Sequence, residues 1–204
     1  KEGRNKLEEM LYWGLETGVK ALTVYAFSSE NFTRDIDEIQ ELMKLFEENF
    51  YKVGDDKRVH KHQIRIRALG MLKMLPEGVQ KAIEYAEEKT KDYDKYYLNL
   101  AVAYSGREEI INAIKEISAQ VKDGKLEVED INQEMFSEYL YTADLPDPDL
   151  ILRTSGEIRV SNFLLWQLAY SELYFVDVYW PGFRKIDLLR ANRSYQQRVR
   201  RYGR

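Results

Sequence analysis

Directly after the apolar run Leu150 to Leu152, nine residues of this chain carry Arg153, Ser155, Gly156, Glu157, Arg159 and Ser161. Guanidinium groups hold phosphate oxygens in paired, planar geometry. Two of them with a serine hydroxyl and a tight glycine turn satisfy several oxygens at once, each charge-assisted bond being worth ~1.5–3 kcal/mol. The ligand such a turn suits is a multiply charged anion. The chain then enters the apolar, aromatic stretch Phe163 to Phe175, in which Glu172 is the one acid. An unpaired carboxylate is costly there, so a metal ion or an arginine must compensate. Hard Mg²⁺ takes carboxylate and phosphate oxygens together, and the chemistry implied is a diphosphate beside a metal.

A second polar group follows an apolar run upstream. Ser28, Glu30, Asn31 and Arg34 come just after Val19 to Phe27. Serine and asparagine at that place serve equally as caps for a helix start. His60 and His62 flank Lys61 with no third ligand in sight and read as a solvated strand entrance. Asp144, Asp147 and Asp149 read as loop, because Pro146 and Pro148 forbid a helical display of their carboxylates.

The elements that must position these groups alternate in type. Periodicity predicts a helix over Lys6 to Leu15, a strand over Val19 to Phe27, a loop over Ser28 to Arg34 and a helix from Ile36 to about Tyr51. That helix stacks Ile39, Leu42, Met43, Phe46 and Phe50 on one side, the ordinary stripe of a core helix. Next come a strand at Gln63 to Leu69, a helix at Glu77 to Lys89, a strand at Tyr96 to Val102 and a helix at Arg107 to Val121. The polar stretch Lys122 to Asp130, a short helix near Gln133 to Leu140 and a strand at Leu150 to Leu152 complete the series. No linker or repeat divides the chain, so the expectation is one α/β domain over residues 1–204, a central, mainly parallel sheet flanked by helices. Ligands of such sheets gather outside the strand C-termini, where both polar groups fall and where they are expected to converge.

Five ordered segments together resemble one family. Ala26-Phe-Ser-Ser-Glu-Asn-Phe-Thr-Arg34, Asn99-Leu-Ala-Val-Ala-Tyr-Ser-Gly-Arg-Glu-Glu-Ile110, Arg153-Thr-Ser-Gly-Glu157 with Arg159-Val-Ser-Asn-Phe-Leu-Leu-Trp-Gln167 and Glu172, Trp180-Pro-Gly-Phe183, and Arg201-Tyr-Gly203 are similar to the signature regions of the cis-prenyltransferases, the undecaprenyl diphosphate synthase family. The resemblance implies elongation of an allylic diphosphate (farnesyl or geranylgeranyl) by isopentenyl diphosphate units with cis double bonds, giving a long polyprenyl diphosphate such as undecaprenyl diphosphate. It assigns Arg153, Arg159 and Ser161 to isopentenyl diphosphate, with Glu157 orienting the arginines. Asn31 and Arg34 fall at the reacting diphosphates as catalytic candidates, with Phe27, Ser28, Glu30 and Phe32 around the substrate. Glu172 becomes a ligand of Mg²⁺. Ala26, Leu42, Leu45, Phe46 and Leu100 match an apolar tunnel for the growing chain. Arg201 and Gly203 reach a partner subunit's site, which implies a homodimer. Asp35 stands where family members often have proline.

The resemblance also implies a segment ahead of the position of Lys1, a first strand with an Asp-Gly-Asn-Gly-Arg type loop whose aspartate shares the metal with Glu172. Lys1-Glu-Gly-Arg-Asn-Lys-Leu is similar to the start of the helix that follows it. A protein beginning at Lys1 is expected to keep its isopentenyl site and to turn over poorly until that loop is restored.

Composition narrows the alternatives. With 204 residues the chain can bury a substantial core. The absence of cysteine excludes disulfides, thiolate metal sites and cysteine nucleophiles. No run of about 18 apolar residues is available to span a bilayer, so a cytoplasmic protein that delivers its product to a membrane is expected. A net charge of −4 argues against nucleic acid as a ligand, although Arg184 to Arg204 holds seven arginines and one lysine against a single aspartate. That basic run reads as a solvated helix end. The rival reading, a non-catalytic partner subunit of the same family, is disfavoured because such subunits lose the substrate motifs that are present here.

Overall fold

The protein is described by a computed structural model over residues 2–198. Seven α-helices and five strands are found among the described residues: α1 Glu2–Glu16, β1 Ala21–Ser28, α2 Ile36–Gly54, α3 Lys57–His62, β2 Ile64–Leu69, α4 Glu77–Thr90, β3 Tyr96–Tyr104, α5 Gly106–Lys122, α6 Gln133–Glu138, β4 Leu150–Arg153, β5 Glu172–Phe175 and α7 Lys185–Gln197. All strand pairings are parallel, as the alternation of strands and helices predicts. Where one central sheet is expected, the strands form a three-stranded sheet in the order β1-β3-β2 and a separate two-stranded sheet, β4-β5. The described residues fall into two compact units, one spanning Val19–Asp144 and the other comprising the stretches up to Gly18 and from Leu145 onward.

The larger unit is built around β3. As the middle strand of a parallel sheet it is covered on both faces, and its run Leu98, Ala101, Val102, Ala103, Tyr104 is buried. Val59, Ile64, Ile66, Val79, Ile83 and Phe50 complete this core. Helix α2 starts where Asp35 accepts the N–H of Asp37 at 2.9 Å, so the residue that replaces the family's proline serves as an N-cap. The outer edge of β2 is closed by α4. Thr90 Oγ1 accepts the Ile66 N–H at 3.0 Å, and Glu87 accepts the Ala68 N–H at 2.8 Å with its carboxyl pushed up by burial. Those two contacts take the groups another strand would need.

Two irregularities shape the upper ends of these strands. Tyr25 pairs with Ala101 and Phe27 with Val102, so Ala26 is an extra residue on β1, and the next pair, Ser28 with Tyr104, leaves Ala103 extra on β3 at φ 50°. Such bulges re-aim side chains beside a site. At the end of β2, Gly70 takes φ 138°, and a Cβ there would stand 2.1 Å from the Val102 carbonyl oxygen. Gly70→Ala is therefore expected to lower stability by about 2–4 kcal/mol through strain and overpacking, read as a shifted urea midpoint at constant slope. A midpoint within error of the parent would contradict the packing at this turn.

The histidine reading needs correction. Residues 57–62 are the helix α3, not the entrance of a strand, and side chains two apart on a helix point away from each other. His60 is held by both ring nitrogens, Nδ1 at 2.9 Å from the Tyr93 hydroxyl and Nε2 at 2.8 Å from the Gly54 carbonyl. It fastens helices and is no metal ligand pair with His62.

In the second unit the Trp180 indole N–H donates to the Gly3 carbonyl at 2.9 Å, and the Trp180 ring stacks on buried Phe183 at 6.1 Å. Trp13 tilts against the same Phe183, and Lys185 of α7 pairs with Glu16 of α1. The basic run thus begins as a regular helix with Asp187, Leu188 and Ala191 buried beneath it.

Candidate active site

Arg153 ends β4, and the loop after it folds back on the segment following β5. The Val176 N–H donates to the Arg153 carbonyl at 2.9 Å, the Gly156 N–H to the Val176 carbonyl at 3.0 Å, and the Ser155 N–H to the Val178 carbonyl at 2.8 Å. Gly156 takes φ 71°, and a Cβ there would come within 2.6 Å of an Asp177 carboxylate oxygen. Ser155, Ser161, Asn162 and Leu164 also have positive φ. A run of left-handed residues of this kind costs free energy and is held where structure serves a ligand.

This loop gathers the predicted anion group. Arg153 donates from Nη1 to the Arg159 carbonyl at 2.7 Å and to the Ser161 hydroxyl at 2.7 Å. Arg159 is paired with Glu157. Each guanidinium has five N–H donors, so both retain capacity for an anion while being held in place. Arg153, Glu157, Arg159 and Ser161 are therefore brought together as the sequence predicts.

Glu172 is placed elsewhere. It opens β5 and lies in register with Leu150, whereas Arg153 is in register with Phe175. Three strand residues separate the two levels, about 10 Å along the sheet. The Glu172 carboxylate accepts from Arg198 Nη1 at 2.6 Å, and nearby the Tyr195 hydroxyl donates to Asp149 at 2.8 Å. Arg198 is the arginine that compensates this acid, and nothing in the sequence singles it out of the basic run. Among the described residues no group of three or more His, Asp or Glu side chains could hold a metal by itself. A lone carboxylate fits Mg²⁺ only as an ion that brings phosphate and water oxygens with it, which is how Mg²⁺ is commonly bound.

In the larger unit, the end of β1 leads into a short 3-10 turn, Ser29–Thr33. Asn31 accepts the Ser28 N–H through Oδ1 at 2.9 Å, so the capping role weighed from sequence is real. Phe27 and Phe32 meet edge to face at 5.0 Å beneath the turn. Arg34 pairs with Glu38 at 2.8 Å on the exposed side of α2, and Glu30 is exposed. Tyr25 donates to the Tyr104 carbonyl at 3.2 Å, and burial, with the Glu30 carboxylate second, pushes its pKa up to about 12, so its hydroxyl stays protonated. The tunnel candidates are incompletely covered: Ala26 is exposed at its bulge, and Leu42, Leu45, Phe46 and Leu100 are half-buried, the first three on the same helix as the buried Ile39, Met43 and Phe50. Arg201 and Gly203 lie outside the described residues.

A parallel α/β scaffold with an arginine-rich loop at a strand end defines a protein suited to a phosphorylated substrate. The family described as "Putative undecaprenyl diphosphate synthase" matches residues 1–203. A tritrans,polycis-undecaprenyl-diphosphate synthase (geranylgeranyl-diphosphate specific) of Methanocaldococcus jannaschii is 54% identical over 203 residues, covering 98% of this chain and 72% of that protein. The protein of the same description in Pyrococcus abyssi is 54% identical over 202 residues, covering 99% of this chain and 76% of its own. Among solved structures, lavandulyl diphosphate synthase from Lavandula x intermedia in complex with dimethylallyl diphosphate aligns with a TM-score of 0.94 at 38% identity, covering 100% of this chain and 87% of that one. The chain belongs to the undecaprenyl diphosphate synthase family, and it is a prenyl-transferring enzyme.

Proposed function

We propose that the protein extends geranylgeranyl diphosphate with isopentenyl diphosphate, adding units in the cis configuration to make a long polyprenyl diphosphate. The observation that supports this reading best is the Arg153, Arg159 and Ser161 loop, with Arg153 already hydrogen-bonded to Ser161 and to the Arg159 backbone at 2.7 Å. The choice of primer rests on the archaeal relatives, whose descriptions specify geranylgeranyl diphosphate.

In this reading the two guanidinium groups and the Ser161 hydroxyl fix the diphosphate of the isopentenyl unit and so aim its double bond. Holding two reactants in register removes much of the entropic barrier of a bimolecular step. The Asn31 side chain spends its carbonyl oxygen on the turn and makes no other hydrogen bond among the described residues, so its amide N–H groups are available to a phosphate oxygen of the primer. Arg34 needs only to release Glu38, a solvent-exposed pair of small energy, to do the same. Glu172 would hold Mg²⁺, which when bound would supply charge neutralisation for the departing diphosphate. The half-buried stripe on α2 with Ala26 and Leu100 takes the lengthening hydrocarbon.

We further propose a homodimer. Ile158, Tyr170 and Tyr179 are 80%, 75% and 77% exposed around β5, an apolar and aromatic surface of the kind subunit interfaces use. No helix among the described residues is long and apolar enough to cross a membrane, and product transfer to a membrane is assigned to the surface of the enzyme. Incubation of the purified full-length protein with radiolabelled isopentenyl diphosphate and geranylgeranyl diphosphate should transfer label into an organic-extractable product. Label that remains in the aqueous phase with every allylic primer would refute the reading.

A further inference from the structure

Glu109 lies in the first turn of α5, is 1% exposed and takes no part in the site described above. A buried carboxylate costs free energy unless hydrogen bonds compensate it. Its Oε1 accepts the Tyr141 N–H at 2.9 Å, and its Oε2 accepts the Tyr104 hydroxyl. Tyr104 is the last residue of β3 and is fully buried, and its carbonyl accepts the Tyr25 hydroxyl at 3.2 Å. The Tyr25 and Tyr104 rings meet edge to face at 5.8 Å. Tyr104 is thus tied twice, to α5 through its hydroxyl and to β1 through its carbonyl.

The place so fixed is strained. Ala103, the residue before it, has φ 50°, and the register of β1 against β3 slips there. A residue other than glycine keeps such a backbone only where its surroundings over-determine it. On the opposite strand Tyr104 is paired with Ser28, whose N–H donates to Asn31 Oδ1 at 2.9 Å in the turn that leads to Arg34.

We propose that Glu109 is a positioning residue for the primer diphosphate: through the Tyr104 hydroxyl it holds the bulge at Ala103, and the bulge sets where Ser28, Asn31 and Arg34 stand. The inference rests on the proposed function, which gives Asn31 and Arg34 to the primer. Glu109 acts through Tyr104 and does not itself touch a substrate. Without that hold Ala103 relaxes toward ordinary extended backbone, the pairing of Ser28 with Tyr104 shifts, and the turn moves with it. Misplacement by about 1 Å can cost up to about 100-fold in rate. The loss falls on the primer, because Arg153, Arg159 and Ser161 belong to the other unit of the chain.

Three substitutions in the full-length protein test this. Tyr104→Phe removes only the hydroxyl, and Glu109→Met removes both hydrogen bonds at similar volume. Glu109→Gln keeps them, its carbonyl oxygen accepting from Tyr141 and its amide N–H donating to the Tyr104 hydroxyl. Initial rates with each substrate varied separately give the two KM values. Tyr104→Phe and Glu109→Met should raise the KM of geranylgeranyl diphosphate about 10-fold and leave that of isopentenyl diphosphate within about twofold. Glu109→Gln should restore most of the parent value. Should Glu109→Met fail to fold, Tyr104→Phe decides alone. A lowered thermal midpoint with both KM values unchanged would make Glu109 merely structural and overturn its role, as would equal rises on both substrates; the proposed function stands in either case. Failure of the unsubstituted protein to incorporate label with any primer overturns the proposed function, and this inference with it.

Discussion

Replacing Arg153 by alanine is expected to lower kcat/KM for isopentenyl diphosphate by about 100-fold or more, while the KM of the allylic primer changes little. The substitution removes two or more charge-assisted bonds to phosphate, at ~1.5–3 kcal/mol each. It also releases Ser161 and the Arg159 backbone, both of which Arg153 holds at 2.7 Å. Arg159→Ala should cost less, about 10-fold, because Arg159 shares its charge with Glu157 and fixes no neighbour. Arg153→Lys should recover only part of the loss, since an ammonium cannot reproduce the planar fork. Initial rates with each substrate varied separately measure all three. Equal losses on both substrates would remove Arg153 from the isopentenyl site.

Glu172→Gln should leave the fold intact and reduce turnover on the order of 100-fold, with a higher Mg²⁺ concentration needed for half-maximal rate. The substitution removes a charge and almost no volume. It also removes the partner of Arg198, whose contact at 2.6 Å accounts for the same carboxylate by another route. The two roles separate in Arg198→Gln. If Glu172 serves the metal, Arg198→Gln keeps activity and requires less Mg²⁺, because a competitor for the carboxylate is gone. If Glu172 serves only to tie down α7, both substitutions lower the thermal midpoint alike and neither moves the magnesium titration.

How far these features could be read in advance depended on how local their causes were. The strand-end loop was legible because Arg153, Gly156, Arg159 and Ser161 lie within nine residues and a single loop must bring them together. Strands β1 and β3 announced themselves through near-continuous apolar runs, and the edge strand β2 through the alternation of Ile64 and Ile66 with Arg65 and Arg67. The separation of β4 and β5 from the other strands was not legible, since pairing across 20 residues leaves no periodic trace. Helix α3 was mistaken for a strand entrance because Lys57-Arg-Val-His-Lys-His62 is too short and too charged to show a helical period. Arg198 was hidden for a different reason. In a run of seven arginines nothing in the sequence marks the one that meets Glu172, and only the course of α7 selects it.

The central claim, that this enzyme joins isopentenyl units to an allylic diphosphate in the cis configuration, is tested most directly by NMR of the product made from ¹³C-labelled isopentenyl diphosphate. Each newly formed double bond should give the methyl and allylic carbon shifts of the Z isomer, while the double bonds inherited from the primer keep those of the E isomer. New double bonds with E shifts would contradict the account, whatever the yield of product.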